Sequence, residues 1–306
     1  MATVERRAAL RGESQGHWWE RNLRYIFVLP SVLMILGIGI FPLLYSLWIS
    51  FLQWDLQRPG QRFIFLKNYA DALADNRMWG ALSNTLIIII VAVSLELLLG
   101  LGLAQTLSGY LPGKHFVMPL LLLPVVIAPV IVGYTWRMLW DTQYGPINQV
   151  LGWLAQRPVE IVWLANPRTV YPAILITEIW QWTPFMFLIL LAGLSAVNPE
   201  LHEAAALDGA SGWQIFRHIT LPLIQPIIVL ALLFRALDVF KLFDIVFALT
   251  GGGPGTQTET VSLYVYILGF KNFRLGYTAA MSYLLLIVVS IAITILWRQL
   301  GESRRK

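Results

Sequence analysis

Six long apolar runs dominate this sequence, near Tyr25–Phe51, Ala81–Leu107, Phe116–Leu139, Tyr171–Leu194, Leu223–Leu249 and Tyr277–Trp297. Each is close to the roughly 20 mostly apolar residues that a helix needs to cross about 30 Å of hydrocarbon. In water such runs would need a core far larger than 306 residues can build, and with 57% hydrophobic and 13% charged residues there is too little polar surface to solvate them. In lipid the backbone must satisfy its own polar groups, which selects helices for runs of this length. The expected fold class is therefore an all-α membrane protein with six transmembrane helices. The first run is too long for the apolar region of a signal peptide and has no small-residue cleavage pattern after it, so it is expected to be retained.

Basic residues gather at the two ends. Arg6, Arg7, Arg11, Arg21 and Arg24 precede the first run, and Arg298, Arg304, Arg305 and Lys306 follow the last. The positive-inside rule then places both termini in the cytoplasm of a plasma (inner) membrane, consistent with an even number of spans. The net charge of +5 is explained by lipid and topology, so no nucleic-acid partner is expected. The organisation reads as a cytoplasmic segment 1–24, a six-helix transmembrane bundle 25–297 and a cytoplasmic basic tail 298–306. Loops 52–80, 141–170 and 250–276 fall outside, and loops 108–115 and 195–222 inside.

Prolines interrupt several runs: Pro119, Pro124 and Pro129 in the third, Pro184 in the fourth. Each removes a backbone hydrogen bond and kinks the helix, which lipid tolerates only where neighbours or a watery cavity satisfy the freed carbonyls.

Other chemistry is sparse. No cysteine is present, which excludes disulfides, thiol catalysis and Cys-ligated metals, and His17, His115, His202 and His218 are scattered without a ligand pattern. The only Gly-Lys pair, Gly113-Lys114, is followed by His115 and lacks the upstream glycine of a phosphate-binding loop. No nucleophile elbow or convergent carboxylate pair is visible. The chain is expected to be no enzyme, to bind no metal or cofactor, and to need another source of energy for any vectorial work.

The loop between the fourth and fifth runs, 198–222, carries the most specific signal. Asn198 suits a helix cap, Pro199 a first turn and Glu200 the positive end of the dipole. Gly209 supplies a turn, and Ser211 with Gln214 forms a capping box for a second short helix that should end before Pro222. Glu203, Ala204, Ala205, Asp208, Gly209, Ala210, Phe216, Ile219, Leu221, Pro222 and Pro226 fall at the spacing of a known pattern. On these residues the loop resembles the EAA loop of permease subunits of bacterial ABC importers. Phe234 to Asp244, Leu249 to Gly255 and Thr260 to Tyr266 look like the carbohydrate-uptake branch of that family, of the maltose-transporter membrane-spanning type.

The resemblance implies that this elbow is a coupling helix docked on a cytoplasmic ATPase dimer, which uses ATP and Mg. Glu203, Ala204, Ala205, Asp208, Gly209, Ala210 and Phe216 would form that contact. It further implies a second homologous permease subunit, an extracytoplasmic solute-binding protein and a small carbohydrate or polyol as cargo. In related permeases the stretch around Pro184 contributes to the sugar pocket, and Gln181, Trp182 and Phe185 are the matching candidates. Aromatic faces and amides suit a ligand with C–H faces and many hydroxyls.

In the fifth run Arg235, Asp238, Val239 and Leu242 share one helix face and are candidate solute contacts. A structural ion pair between Arg235 and Asp238 at an interface is the competing reading, because charges at that depth turn toward protein or water. Glu178 and Trp180 stand open between substrate contact and subunit interface, and Lys241 and Asp244 between gate and interface. The glycine-rich 251–255 segment reads either as a flexible contact for the binding protein or as a helix cap and turn. A self-sufficient, ion-coupled secondary transporter is the alternative function. It would need an acidic coupling site and an internal repeat, and neither is evident.

Overall fold

In a computed structural model of the chain, residues 22–109 and 112–303 are described, with side chains of the last helix as far as Thr294. Arg6, Arg7, Arg11, Arg21, Arg304, Arg305 and Lys306 lie outside the described residues.

Among the described residues the regular structure is helical apart from one hairpin. Helix α1 (Asn22–Ser50) leads into strands β1 (Leu52–Trp54) and β2 (Gln61–Phe63), paired antiparallel with Leu52 opposite Phe63. There follow α2 (Lys67–Leu73), α3 (Asn76–Ser108), α4 (Lys114–Val126), α5 (Pro129–Leu139), α6 (Pro146–Ala155) and α7 (Val170–Ser195). Next come α8 (Pro199–Leu207), α9 (Gly212–Phe240), α10 (Asp244–Leu249), α11 (Val261–Lys271) and α12 (Leu275–Ser303). Five of these helices, α1, α3, α7, α9 and α12, are long and apolar enough to span a bilayer, and α4 with α5 makes a sixth if that bent pair counts as one crossing.

The third apolar run, expected as one kinked helix, is two helices bent by 96° at Ile127–Ala128. Pro119 and Pro124 stay inside α4, and the chain turns in front of Pro129, which starts α5. Both break residues are extended (ψ 133° and 134°); at Ala128 the ring of the following Pro129 disfavours the helical region.

The fifth run differs at both ends. The second elbow helix does not stop before Pro222 but continues as α9 through a wide turn at Phe216–Thr220, where the Leu221 amide donates to Phe216 O, five residues back. The extra residue in that turn gives the proline ring room. At the other end α9 stops at Phe240, and the next residues, expected to continue the span to Leu249, re-form as the separate α10. The carbonyls released there are taken up from α11: Thr260 donates to Leu242 O at 2.8 Å and Ser262 to Phe240 O at 3.5 Å. A helix end inside a bundle needs such partners.

Helices α3 and α7 pack along their length, with α9 against both. Ile88, Ala92 and Val93 of α3, Ile174 and Met186 of α7, and Ala231 and Val239 of α9 share the main core. Gly100 permits the approach, since a Cβ there would lie 2.8 Å from Met186 Cβ and 2.9 Å from the Phe187 amide nitrogen. By contrast α1 buries almost nothing in this chain, leaving Phe27, Leu33 and Ile38 bare.

The loops 52–80, 141–170 and 250–276 interlock at the end of the bundle opposite the elbow. Asp75 caps α3 by accepting from the Arg77 and Met78 amides, and its other oxygen accepts from the hydroxyls of Tyr264 at 2.6 Å and Tyr277 at 2.7 Å. Arg77 pairs with the buried Glu259 at 2.9 Å, and Gln257 donates to Pro167 O. The glycine-rich segment, open in sequence between a flexible contact and a turn, is a tied turn: the Thr258 amide donates to Gly252 O and its hydroxyl to Gly253 O. Gly251, Gly252 and Gly255 adopt positive φ there, the backbone that glycine tolerates best.

Candidate functional site: a buried ion cluster and an exposed elbow

Arg235 on α9 is 1% exposed, and three carboxylates surround it. Its Nε and Nη2 donate to the two oxygens of Glu96 on α3, at 2.7 and 2.9 Å. Nη2 also donates to Glu178 Oε1 on α7 at 2.6 Å, and Nη1 to Asp238 Oδ2 at 2.7 Å. One guanidinium thus ties three spans together, with the forked geometry that suits arginine to carboxylate pairs. The Trp182 ring lies over it, 4.7 Å from ring centre to Cζ, a cation–π contact. Glu96 and Glu178 are as buried as Arg235, whereas the Asp238 side chain is 50% exposed.

This geometry sorts the residues singled out in the sequence. Arg235 and Asp238 do pair, but the stronger partner of Arg235 is Glu96, which the sequence reading missed. A lone carboxylate inside an apolar run was the available signal, because a charge at that depth needs a partner. Val239 (1% exposed) and Leu242 (9%), expected as solute contacts, belong to the hydrophobic core, and Leu242 lies beyond the end of α9, so of the expected face Asp238 alone is open. Arg235 is likewise enclosed, and its hydrogen bonds are directed to carboxylates. Gln181 is fully buried and donates to Ile127 O, at the α4–α5 break, at 3.0 Å. That bond satisfies one carbonyl freed by the bend, while Gln181 Oε1 and Glu178 Oε2 are buried without a partner.

Trp182 and Phe185 are half-buried and pack edge to face, 6.1 Å between ring centres. Trp180 is exposed and meets Trp136 of α5 at 5.4 Å. Lys241 is exposed at the end of α9, and Asp244 is half-buried in the first turn of α10.

The elbow has the local structure its sequence demands. Asn198 caps α8 by accepting from the Glu200 amide, Pro199 opens it, and Gly209 turns the chain at φ +83°. Ser211 and Gln214 form the reciprocal capping box at the start of α9. Glu203, Ala204, Asp208 and Gly209 are exposed, Ala205 and Ala210 half-buried, and Phe216 packs against Trp213 at 5.5 Å. His202 Nε2 lies 3.0 Å from the Thr220 hydroxyl, fastening α8 to the wide turn of α9. The outer face carries unpartnered apolar groups, with Leu207 90% exposed and Trp213 65%.

Membrane-length helices, one broken span and a projecting helical elbow define a multi-pass membrane protein of the permease type. The chain belongs to the family of binding-protein-dependent transport system inner membrane components, whose model matches residues 112–306. It is 41% identical over 276 residues (89% of this chain, 88% of the relative) to a probable ABC transporter permease protein of Sinorhizobium fredii. It is 37% identical to the trehalose/maltose transport system permease protein MalF of Thermococcus litoralis (94% and 96% covered). The trehalose transport system permease protein SugA of Mycobacterium tuberculosis is 36% identical (99% and 97%). A chain in the crystal structure of a bacterial alginate ABC transporter, in complex with alginate pentasaccharide-bound periplasmic protein, superposes with a TM-score of 0.78. It is 24% identical, with 91% of this chain and 94% of that one covered, so the likeness speaks for the fold.

Proposed function

We propose that this chain is one of two permease subunits of an ATP-driven importer for a sugar, oligosaccharide or polyol-type solute. The second subunit is a homologous permease, completing a heterodimer. A cytoplasmic ATPase dimer hydrolyses ATP with Mg, and an extracytoplasmic binding protein delivers the solute. Both termini then face the cytoplasm, with the elbow on the ATPase side and the interlocked loops outside. The trehalose and maltose named for two relatives support a carbohydrate cargo.

The observation that carries the reading is the elbow itself. A short capped helix projects from the bundle with Glu203, Asp208, Leu207 and Trp213 open to a partner, and a Cβ at Gly209 would meet nothing within 4 Å inside this chain. Gly209 serves the turn by its positive φ, and the small residues around it leave room for close approach of another backbone. Because the His202–Thr220 contact joins α8 to the base of α9, a push on the elbow is delivered to the helix that holds Arg235 and Asp238.

Gly209 separates the coupling reading from plain stability. In the left-handed region an L side chain costs about 1–2 kcal/mol, and asparagine tolerates that region better than other residues do. Gly209→Asn is expected to leave the helices folded yet abolish sugar uptake by the reconstituted complex, with ATPase binding weakened. Normal uptake by this variant sinks the coupling assignment. Uptake into liposomes by the chain alone, without ATP, replaces the reading with an ion-coupled transporter.

A further inference from the structure

We infer that the cavity between the hairpin, α2 and the start of α12 binds a zwitterionic phospholipid headgroup of the ethanolamine type, with the aromatic rim beside it set among the acyl chains. The site is separate from the ion cluster and from the elbow, and it lies at a membrane surface whichever way the chain is inserted.

Its place follows from the spans. Asp55 and Arg58 line the cavity a few positions past the end of α1 at Ser50, and Asn272, Arg274 and Tyr277 line it at the start of α12. Two membrane-length helices end there, so the cavity sits where hydrocarbon gives way to headgroups. Its volume is about 460 Å³. That is the space of about 15 water molecules at roughly 30 Å³ each, enough for a phosphoethanolamine group.

The lining carries both signs of charge. Arg58, Lys67 and Arg274 stand with Asp55 and Asp71, and among the described residues no salt bridge joins any of the five. Opposite charges that share a cavity without pairing leave the cations for a phosphate and the carboxylates for an ammonium. Asn68 adds a fixed acceptor. It is 6% exposed, and its Nδ2 donates to Ser50 O at 2.9 Å and Leu52 O at 2.8 Å, while among the described residues no hydrogen bond engages its Oδ1. Carboxylate and amide oxygens accept N–H donors, which an ethanolamine ammonium has and a choline group lacks.

The rim is apolar and strained. Among the described residues three other than glycine adopt positive φ, and two of them are phenylalanines at this cavity. Phe65, at 51°, lies between the lining residues Ile64 and Lys67, and Phe273, at 56°, between Asn272 and Arg274. A bulky side chain resists that backbone, so both turns hold a ring outward at a cost that contact with lipid offsets. Phe65 is 71% exposed and meets Phe63 edge to face at 4.6 Å, and Phe63 stacks on Trp48 of α1 at 5.8 Å. The bare surface of α1 thus continues through an aromatic band to the side of the cavity, as expected of a chain segment at a lipid interface. A soluble zwitterion would use the charges and leave the rim idle.

The probe is phosphatidylethanolamine with a photoactivatable diazirine on one acyl chain, added at low level to phosphatidylglycerol vesicles that hold the complete purified complex. Labelled peptides of this chain are located by mass. Labelling is expected on the segments carrying Phe63 to Leu66 and Phe270 to Phe273. Unlabelled phosphatidylethanolamine should displace the probe at concentrations about three- to tenfold below those needed of phosphatidylcholine, the return of two carboxylate contacts near a surface. Asp55→Asn with Asp71→Asn should bring the two lipids within about twofold of each other. If that pair does not assemble, Asp71→Asn alone, at an exposed position, should narrow the ratio by about half. Absence of label from both segments, as when a second subunit or a binding protein covers the rim, overturns the inference. So do equal displacement by the two lipids in the parent and a ratio unchanged by the substitutions. Displacement by free phosphoethanolamine as effective as by the lipid also overturns it, assigning the cavity to a soluble ligand.

Discussion

Arg235→Met is the perturbation that the ion cluster makes most informative. Methionine is shorter but flexible and unbranched, so it fills the space of the arginine stem while the charge is removed. Glu96 and Glu178, 0% and 1% exposed, are then left facing each other with no counter-charge. Breaking a buried ion pair from one side costs about 3–5 kcal/mol, because the remaining charge is stranded away from water. At about 1.4 kcal/mol per tenfold, that lowers the folding equilibrium by roughly 150- to 5,000-fold. If the four contacts were ordinary polar bonds between membrane helices, at about 0.6 kcal/mol each, the loss would be only about 2.5 kcal/mol. Adding Glu96→Gln and Glu178→Gln to Arg235→Met distinguishes the two accounts. If stranded charge is the cause, the triple variant recovers most of the loss, although it restores none of the ionic contacts. Unfolding in mixed micelles, followed by the fluorescence of the 13 tryptophans, measures both. A single variant within about 1 kcal/mol of the parent, or a triple variant no more stable than the single, refutes the reasoning.

Gly100→Ala should destabilise by about 1–3 kcal/mol in the same assay, since its Cβ would sit 2.8 Å from Met186 Cβ, whereas Gly102→Ala, with nothing within 4 Å, should be neutral or gain up to about 1 kcal/mol of helix propensity. Asp75 is held below its ordinary carboxylate value of 3.8: burial pushes it up, but the hydroxyls of Tyr264 and Tyr277 and the amides of Arg77 and Met78 more than offset this. The clamp it forms is therefore at full strength above pH 3.8 and is lost only below it, as the pH falls through the depressed value, and hydrogen exchange of the 250–271 backbone should rise only there. In Asp75→Asn the same exchange should be raised at every pH, because a neutral amide replaces the anion that both tyrosines address. His202→Leu removes the 3.0 Å contact to Thr220 and should lower sugar uptake per ATP hydrolysed while leaving ATPase binding intact, read as a ratio in proteoliposomes.

Local features were legible wherever a few adjacent residues settle the matter. Asn198, Gly209 and the Ser211–Gln214 pair each act within a turn of themselves, and the elbow formed as those residues require. The break in the third span was half legible. Pro129 marks it, but Ile127 and Ala128 are apolar, so a hydropathy run passes over the bend without a signal. The end of α9 at Phe240 was not legible, because the groups that receive its carbonyls, Thr260 and Ser262, come from about 20 residues further on. Glu96 shows the same limit at longer range. Its apolar surroundings announce that it must have a partner, but the partner is Arg235, 139 residues away, and only packing of α3 on α9 decides it. The helix-face argument for Arg235, Asp238, Val239 and Leu242 placed Leu242 on a helix that ends at Phe240, and grouped the half-exposed Asp238 with the buried Arg235 and Val239. Periodicity says which residues share a face, and in a membrane protein it does not say whether that face meets core, lipid or water.

The elbow and the ion cluster gain their meaning from sharing one helix. From Leu221 to Arg235 α9 runs about 21 Å at 1.5 Å per residue, without an internal break, and Pro226 lies inside its continuous course. At its base the wide turn and the His202 contact fasten it to α8, so that on the proposed coupling the elbow and the helix form one lever. At its far end Arg235 couples the lever to α3 through Glu96 and to α7 through Glu178. A displacement at the elbow therefore cannot reach Asp238 and Trp182 without loading those ionic contacts. Buried charges are poorly suited to adding stability, and well suited to specifying one arrangement among several apolar ones. Together with the close approach at Gly100, the Arg235 cluster is satisfied by only one register of the three spans. On the proposed coupling, a lever with a fixed register gives a push from the elbow one defined outcome at Asp238 and Trp182.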